Sequence, residues 1–259
     1  MRSEQTEAMP PDYAQSIEAD GFAIVPAAGD NAEIDALIVA VEVLAQEQPP
    51  AGGAGIYALR NLLDSPAICN FAESPVMRRL VVPIIGAGAF PVRGIFFDKT
   101  PAANWKVNWH QDLAIAVLER REAAGFGAWS EKAGVIHVQP PPELLAQMIT
   151  VRVHLDDCPP QNGALRVLSG SHQDGRLRDA DILRWRERTA ETLCPVPRGG
   201  AMVMRPLLLH ASSASEHPAR RRVLHIEYAA EHLPDGLQWR RVTRKTSRRQ
   251  TRRVLRIES

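Results

Sequence analysis

The chain has 259 residues, of which 45% are hydrophobic and 24% charged, and its formal net charge is +1. This composition is typical of a globular protein with one large domain or two small ones, and it excludes collagen-like and intrinsically disordered chains. No apolar run reaches the ~18 residues that cross a bilayer, and residues 1–12 lack the apolar core of a secretion signal. The three cysteines are too few and too scattered for a disulfide framework. We therefore expect a cytoplasmic protein without a membrane partner.

Charge is distributed unevenly along the chain. Residues 240–259 contain nine Lys or Arg and a single acid, Glu258, so the rest of the chain is mildly acidic. We predict that residues 1–239 form one domain and that residues 240–259 form a basic C-terminal tail. Such a tail can bind nucleic acid. Because Trp239 is the only aromatic residue beside it, we expect a solvated terminus instead, and no nucleic-acid partner.

The N-terminal part of the chain predicts helices separated by turns. A short helix is expected at 13–19 and a short strand at 22–26, after an Asp-Gly turn. Residues 31–47 have apolar positions at helical spacing, and a glycine-rich loop follows at 52–55. Ser74 followed by proline predicts the start of another helix, which we expect to end near Val82.

From residue 90 onward, strand patterns predominate. Alternating or apolar runs predict strands at 92–99, 148–156, 164–168, 201–210 and 221–228. Helices followed by several short strands favour a β-barrel or sandwich supported by N-terminal helices.

Two segments interrupt the predicted strands. Residues 119–147 contain glycines and a run of three prolines, which predicts a long loop, and long loops in compact domains often act as substrate lids. Residues 179–191 are charged and predict a helical insert.

The strongest candidate for chemistry is the run from Asn108 to Asp112 (NWHQD). In an extended segment, alternate side chains share a face, so His110 and Asp112 lie side by side. Their nitrogen and oxygen can bind one metal ion. A second histidine would complete the set of two His and one carboxylate that suits non-haem Fe(II). A surface loop or a simple hydrogen-bonded pair is the alternative interpretation of this pattern alone.

His210 is the candidate for the third ligand. It follows the apolar run 207–209 and precedes small residues, so it can emerge from a strand end into the mouth of a barrel. A core histidine bonded to a backbone carbonyl is the alternative. Ser212 and Arg221 follow, and a hydroxyl with a guanidinium on adjacent strands can clamp a carboxylate. Iron beside a carboxylate clamp is what a 2-oxo acid requires.

Four segments stand out as a set. They are Asp20-Gly21-Phe22, Trp109-His110-Gln111-Asp112, the run from Asn162 to His172 (NGALRVLSGSH), and His210 with Ser212 and the arginines at 220–222. In this order they resemble the phytanoyl-CoA dioxygenase family of Fe(II)/2-oxoglutarate-dependent oxygenases. The third segment is the most specific, and it departs from the family only in Ser169, where proline is usual. The resemblance covers residues 17–230.

The resemblance implies a mainly β fold with flanking helices around a double-stranded β-helix, the jelly-roll core of cupin-like proteins. It implies that His110, Asp112 and His210 hold the iron. Arg221 matches the family arginine that binds the far carboxylate of 2-oxoglutarate, and Ser212 matches a hydroxyl that assists it.

Two of the cosubstrate assignments have alternatives. A shift of one residue would put Arg220 or Arg222 in the place of Arg221. Strand alternation favours Arg221, because Arg222 shares its face with Leu224, and that apolar face is expected to pack on helices. Lys99 stands where related sequences often have lysine, and it contacts cosubstrate or substrate unless it is a solvated residue at a strand end.

The implied activity is that of a 2-oxoglutarate-dependent dioxygenase of the hydroxylase type. It consumes O₂ and 2-oxoglutarate, hydroxylates an unactivated C–H of a small organic molecule, and releases succinate and CO₂. Asp112 disfavours the halide-binding variant of this chemistry, which needs a small residue there. Trp109, Trp129 and His225 are candidate substrate contacts, although aromatic residues more often belong to the core. The alternative is a non-catalytic double-stranded β-helix protein that binds a ligand or regulates a partner.

Overall fold

The structure, a computed structural model, describes residues 13–47, 57–100, 104–215 and 219–240. The predicted N-terminal lead-in, the glycine-rich loop at 52–55 and the basic tail beyond Arg240 lie outside these residues.

Six α-helices lie in the described part of the chain. They are α1 (Tyr13–Ala19), α2 (Asn31–Glu47), α3 (Pro66–Ala72), α4 (Pro75–Ile85), α5 (Pro142–Ala146) and α6 (Asp179–Arg188). The bounds of α1 and α2 are those predicted, whereas α3 has no counterpart among the predicted elements. Ser74 caps α4 as expected, but that helix continues past Pro83 to Ile85, and Ile84 and Ile85 pack against the core. None of the helices in the described ranges is both long and apolar enough to span a membrane.

Thirteen strands, all paired antiparallel, form three sheets in the described residues. The strands are β1 (Phe22–Val25), β2 (Tyr57–Leu59), β3 (Phe90–Lys99), β4 (Val107–His110), β5 (Ile115–Val117), β6 (Gly127–Lys132), β7 (Val135–Gln139), β8 (Ile149–His154), β9 (Leu165–Val167), β10 (Thr192–Cys194), β11 (Ala201–Met204), β12 (His210–Ser212) and β13 (Arg221–Ala229). The strand order is β1-β11-β8-β13-β3-β2 in the large sheet, β10-β9-β12-β4 in the second sheet and β5-β7-β6 in the third.

The two faces of β13 differ in chemistry because side chains alternate along a strand. Leu224, Ile226 and Tyr228 belong to the main hydrophobic core, which also contains the buried residues of α1 to α4. Tyr228 joins the sheet to the helices, since its hydroxyl donates to the Ala72 carbonyl at 2.9 Å. The opposite face carries Arg221 and His225 and points between the two larger sheets. The predicted alternation of β13 is therefore correct, and its polar side chains lie inside the barrel.

A second apolar layer closes one end of the barrel. Met202 and Met204 of the large sheet pack with Val167 and Cys194 of the second sheet, and all four are buried. This layer keeps the two sheets apart at a fixed spacing.

The prediction of a long loop at 119–147 was wrong. This segment forms the hairpin β6–β7, which pairs with β5, and the short helix α5. The hairpin turns at Ala133 and Gly134, whose φ angles are 51° and 70°. Two-residue hairpin turns of this kind need positive φ at both positions, and alanine gives no sequence signal for it.

The prediction of one strand at 201–210 was also wrong. The strand β11 ends at Met204, and a turn closed by the bond from the Leu208 amide to the Arg205 carbonyl (3.1 Å) separates it from β12. His210 therefore begins a strand of the second sheet and does not end a strand of the large one. The apolar residues 207–209 are buried beneath this crossing between sheets.

Packing against the helices makes Leu224 a test of the main core. We expect Leu224→Ala to lower the free energy of unfolding by about 2–5 kcal/mol, because the residue is fully buried and truncation leaves a cavity. Leu183 on α6 is 52% exposed, so Leu183→Ala is the matched control and should change stability by less than about 0.5 kcal/mol. Urea unfolding followed by circular dichroism measures both. Equal losses in the two variants would contradict this assignment of the core.

Candidate functional site

Strand pairing brings the two predicted histidine ligands together. In the antiparallel pair of β12 and β4, His210 lies directly opposite His110, and their ring centroids are 4.2 Å apart. Asp112 follows β4 and is fixed by the bond from its amide to the Pro206 carbonyl (2.9 Å). Its carboxylate oxygens lie 3.9 Å from His110 Nε2 and 3.8 Å from His210 Nε2. One potential ligand atom from each residue falls within 4.8 Å of the other two.

Backbone contacts fix the tautomer of both imidazoles. Nδ1 of His110 lies 2.8 Å from the Asn108 carbonyl, and Nδ1 of His210 lies 2.9 Å from the Leu208 carbonyl. Since a carbonyl only accepts, each Nδ1 carries the proton and each Nε2 keeps its lone pair. Both lone pairs are then available on the side where Asp112 lies, which is how metal-binding histidines are normally oriented.

The charges of the three residues suit a divalent cation. Burial lowers the pKa of His210 to about 4, so its imidazole is neutral at pH 7. Burial by itself raises the pKa of Asp112, but the surrounding histidines and Arg93 outweigh it and hold that pKa well below its usual range. Asp112 Oδ2 is buried and has no hydrogen-bond partner in the described part of the chain. Two imidazole nitrogens and one carboxylate oxygen without a hydrogen-bond partner fit a non-haem iron ion.

Gln111, between two of these residues, anchors the segment from the other side. Its amide nitrogen donates to the Gly175 and Leu207 carbonyls at 2.7 Å each, and its oxygen accepts from the Leu177 amide at 2.8 Å. Sequence reasoning assigned Gln111 no role, because its partners are distant backbone groups that only the fold brings near.

Lys99, Ser212 and Arg221 meet at one end of the barrel. Lys99 Nζ donates to Ser212 Oγ at 2.9 Å and to the Trp105 carbonyl at 2.8 Å. Arg221 pairs with Lys99 in the β13–β3 register, and its guanidinium donates to the Gly163 carbonyl. Burial and the charge of Arg221 lower the pKa of Lys99 to about 7. Lys99 is only 4% exposed, which excludes the alternative of a solvated lysine.

Arg152 is a third buried cation, between this end and Asp112, and sequence reasoning missed it. Burial and the charge of Arg221 lower its pKa to about 10, and its Nε has no hydrogen-bond partner among the described residues. Within the described ranges, neither Lys99 nor either arginine forms a salt bridge. The available signal was the alternation of β8, which puts Thr150, Arg152 and His154 on the barrel side. Three buried cations without acids indicate a site for an anion.

A buried polar chain runs from Arg152 past the histidine–aspartate cluster. Arg152 lies 2.9 Å from His225 Nδ1, and His225 Nε2 lies 3.2 Å from Glu227 Oε1 and 4.0 Å from Asp112 Oδ2. Arg93 pairs with Glu227 on the far side. Apart from Asp112, the sequence singled out only His225 of these residues, and the structure places it beside Asp112.

The neighbouring arginines point away from the barrel. Arg220 pairs with Asp98 at 3.0 Å and Arg222 pairs with Asp156 at 2.6 Å. Of the three arginines, only Arg221 shares a face of β13 with His225.

The two predicted tryptophan contacts do not join the cluster. Trp109 lies on the outer face of the second sheet, opposite to His110, with Arg166 stacked over its ring at 5.5 Å. Trp129 packs against the apolar cluster around the third sheet, with Arg120 over its ring at 5.5 Å.

Comparison with known families agrees with this geometry. The model of the phytanoyl-CoA dioxygenase (PhyH) family matches residues 17–223. The chain belongs to the phytanoyl-CoA dioxygenase family. The resemblance predicted from the four sequence segments is therefore confirmed. No curated protein sequence matches the chain.

Solved structures share the fold of this family member. The non-heme alpha ketoglutarate dependent carbocyclase SnoK from nogalamycin biosynthesis is 16% identical, with a TM-score of 0.68 over 86% of this chain and 84% of that one. The epimerase SnoN in complex with Fe³⁺, alpha ketoglutarate and nogalamycin RO is 18% identical, with a TM-score of 0.63 over 86% and 90%. HygX from Streptomyces hygroscopicus with nickel and 2-oxoglutarate bound is 15% identical, with a TM-score of 0.61 over 86% and 87%. The predicted mainly β, cupin-like fold is confirmed.

The lowered pKa of Lys99 predicts a pH dependence of stability. Burial lowers this pKa from 10.5 to about 7 in the folded chain, so between these values the unfolded chain binds more protons. The free energy of unfolding of the wild type therefore rises with pH in this window, and Lys99→Met removes that contribution. We expect the wild type to gain stability relative to Lys99→Met as the pH is raised above 7, measured by urea unfolding.

The exposed Lys132→Met provides the baseline for that comparison. The free energies of unfolding of wild type and Lys99→Met are compared from neutral to alkaline pH. If their difference stays constant, the pKa of Lys99 is not lowered in the folded chain.

Proposed function

We propose that the protein is an Fe(II)- and 2-oxoglutarate-dependent oxygenase that hydroxylates an unactivated C–H of a small molecule. The observation that carries the proposal is the position of the His110, Asp112 and His210 cluster, next to buried cations that lack acidic partners. One part of this arrangement suits a metal ion and the adjacent part suits a dianion.

His110 and His210 would hold the iron through Nε2, and Asp112 through its carboxylate. When bound, iron supplies the activation of oxygen that protein side chains cannot perform. The chain's own contribution is to keep the donors ready. The carbonyls of Asn108 and Leu208 hold both histidines in the correct tautomer. The pKa of Asp112, which is held well below its usual range, keeps its carboxylate ionised at neutral pH.

Arg221 would bind the far carboxylate of 2-oxoglutarate, with Ser212 and Lys99 beside it. A guanidinium fork matches a carboxylate in two parallel hydrogen bonds, so it orients the keto acid along the barrel. Arg152 lies between this end and Asp112, where it can neutralise charge nearer the metal. The carboxylates of the keto acid supply the negatively charged partners that these three cations lack among the described residues. Its binding also raises the pKa of Lys99 toward the usual value.

Hydroxylation is the reaction we assign, because Asp112 occupies the position that a halide would need. The similar structures SnoK and SnoN are described as a carbocyclase and an epimerase, and both are described as alpha ketoglutarate dependent. The fold therefore hosts several outcomes of one oxidative chemistry. The buried residues Ile95 and Val167, which pair with His225 and His210 in the sheets, give the site apolar walls.

Uncoupled turnover tests the proposal and requires no knowledge of the substrate. Purified protein with Fe(II), ascorbate and 2-oxoglutarate should release succinate, and calorimetry should show keto-acid binding in the presence of metal. A protein that binds neither iron nor 2-oxoglutarate would instead be the non-catalytic double-stranded β-helix ligand-binding or regulatory protein.

We expect His210→Ala to abolish succinate release and to weaken iron binding, because it removes one of three ligands. The fold should persist, as judged by circular dichroism. The matched control is His232→Ala, since His232 is exposed and lies outside the cluster. Unchanged metal binding in His210→Ala would remove His210 from the ligand set.

We expect Arg221→Ala to raise the KM for 2-oxoglutarate by about tenfold or more, since hydrogen bonds to charged groups contribute ~1.5–3 kcal/mol. Arg220→Ala is the control, because Arg220 pairs with Asp98 outside the barrel. The measurement is succinate release against keto-acid concentration. If Arg220→Ala has the larger effect, the assigned register is wrong.

A further inference from the structure

A small cavity lies beyond Glu227, and we name it the arginine cavity. It is bounded by the turn after β2 and by β3, β5 and β7, and its polar lining comes from Arg60, Asn61, Arg93, His137 and Arg240. Its volume is about 20 Å³, which is room for one or two oxygen-sized atoms. None of the proposed ligands of the metal or of the keto acid lines it.

Direct contacts connect the arginine cavity to the metal site. Asp112 lies 4.0 Å from His225, and His225 lies 3.2 Å from Glu227. Glu227 pairs with Arg93, which lines the cavity. The side chains of His225, Glu227 and Arg93 thus separate the cavity from Asp112.

The arginine cavity and the keto-acid end lie on opposite sides of the metal site. On β13, Arg221 marks the keto-acid end, His225 lies at Asp112, and Glu227 lies beyond it. At ~3.3 Å per residue, Arg221 and Glu227 are about 20 Å apart. The register of β3 repeats this order, with Lys99 opposite Arg221 and Arg93 opposite Glu227. The cavity is therefore separate from the keto-acid end of the barrel.

The arginine cavity has an excess of positive charge. Arg93 is balanced by Glu227, and Arg240 is balanced by Asp64 at 3.2 Å. Arg60 is partly buried, and within the described ranges it forms no salt bridge; burial and the charge of Arg93 lower its pKa. Arg93 also has a spare donor, since its Nε is buried without a hydrogen-bond partner among the described residues. One uncompensated guanidinium and one free N–H donor point to an anionic ligand.

We propose that the arginine cavity is a binding site for a small carboxylate, held by Arg60 and Arg93. A carboxylate matches these donors, because its two oxygens can accept from the uncompensated guanidinium of Arg60 and from the free N–H of Arg93. The site uses neither the metal ligands nor the keto-acid residues, so it goes beyond the proposed function.

Matched pairs of small probes test the inference. Acetate, butyrate and benzoate are compared with acetamide, butyramide and benzamide by saturation-transfer NMR. One arm uses protein loaded with Zn(II) and saturating 2-oxoglutarate, so that the keto-acid end is filled. A second arm uses the protein without metal or keto acid. We expect at least one acid to bind more tightly than its amide in both arms.

Substitution of Arg60 locates that binding. Arg60→Gln should weaken the bound acid by about tenfold or more, since it removes a charge-assisted contact, while Arg60→Lys should retain part of it. Arg79→Gln is the matched control, because Arg79 is exposed on α4 and far from the cavity. Circular dichroism confirms that each variant is folded.

The outcomes separate this inference from the proposed function. Acids that bind no better than amides, or acid binding that Arg60→Gln leaves unchanged, would overturn the carboxylate site even if 2-oxoglutarate binds. Acid binding that depends on Arg60 in a protein that fails to bind 2-oxoglutarate would leave the anion site standing and defeat the proposed oxygenase. An acid that binds through Arg60 and also stimulates succinate release supports both.

Discussion

The antiparallel pairing of β12 with β4 is the constraint on which the candidate site depends. It places His210 opposite His110 on one face of one sheet, although the two residues are far apart in the sequence. Asp112 joins them because its amide is bonded to Pro206, just before β12. The positions of all three groups therefore follow from backbone hydrogen bonds, which tolerate little movement. A site built in this way is preorganised before any ligand arrives.

Of the three consecutive arginines at the start of β13, the two on its outer face are paired with acids and the one on its inner face is unpaired within the described ranges. Arg220 and Arg222, which point outward, each have a carboxylate partner. Arg221, which points inward, has none among the described residues, and neither does Arg152. Burying unpaired charge destabilises a fold, so sequences retain it mainly where a ligand supplies the missing partner. The buried cations without acidic partners suit anionic ligands on both sides of the candidate metal site.

Local sequence patterns predicted those parts of the structure that local chemistry decides. The ends of α2, the alternation of β13 and the segment with His110 and Asp112 all follow from spacing and side-chain type. The hairpin at 127–139 escaped prediction because Ala133 adopts a positive φ that alanine normally avoids. The candidate roles of Arg152 and of the arginine cavity were not predicted, because they depend on the absence of acidic partners in the folded chain. Whether a buried charge is compensated depends on strands that are distant in the sequence, so no local pattern records it.

The position of β13 in the large sheet also has a consequence for biosynthesis. It is a central strand, bonded to β8 on one side and β3 on the other, yet it is the last strand of the described chain to leave the ribosome. Until residues 221–229 emerge, β3 and β8 each lack their partner on that side, and β8 is wholly buried in the finished fold. Such non-local pairing folds slowly and exposes unpaired strand edges to aggregation. Slower translation prolongs this interval, so the yield of folded protein should depend on how well the cell shields incomplete sheets.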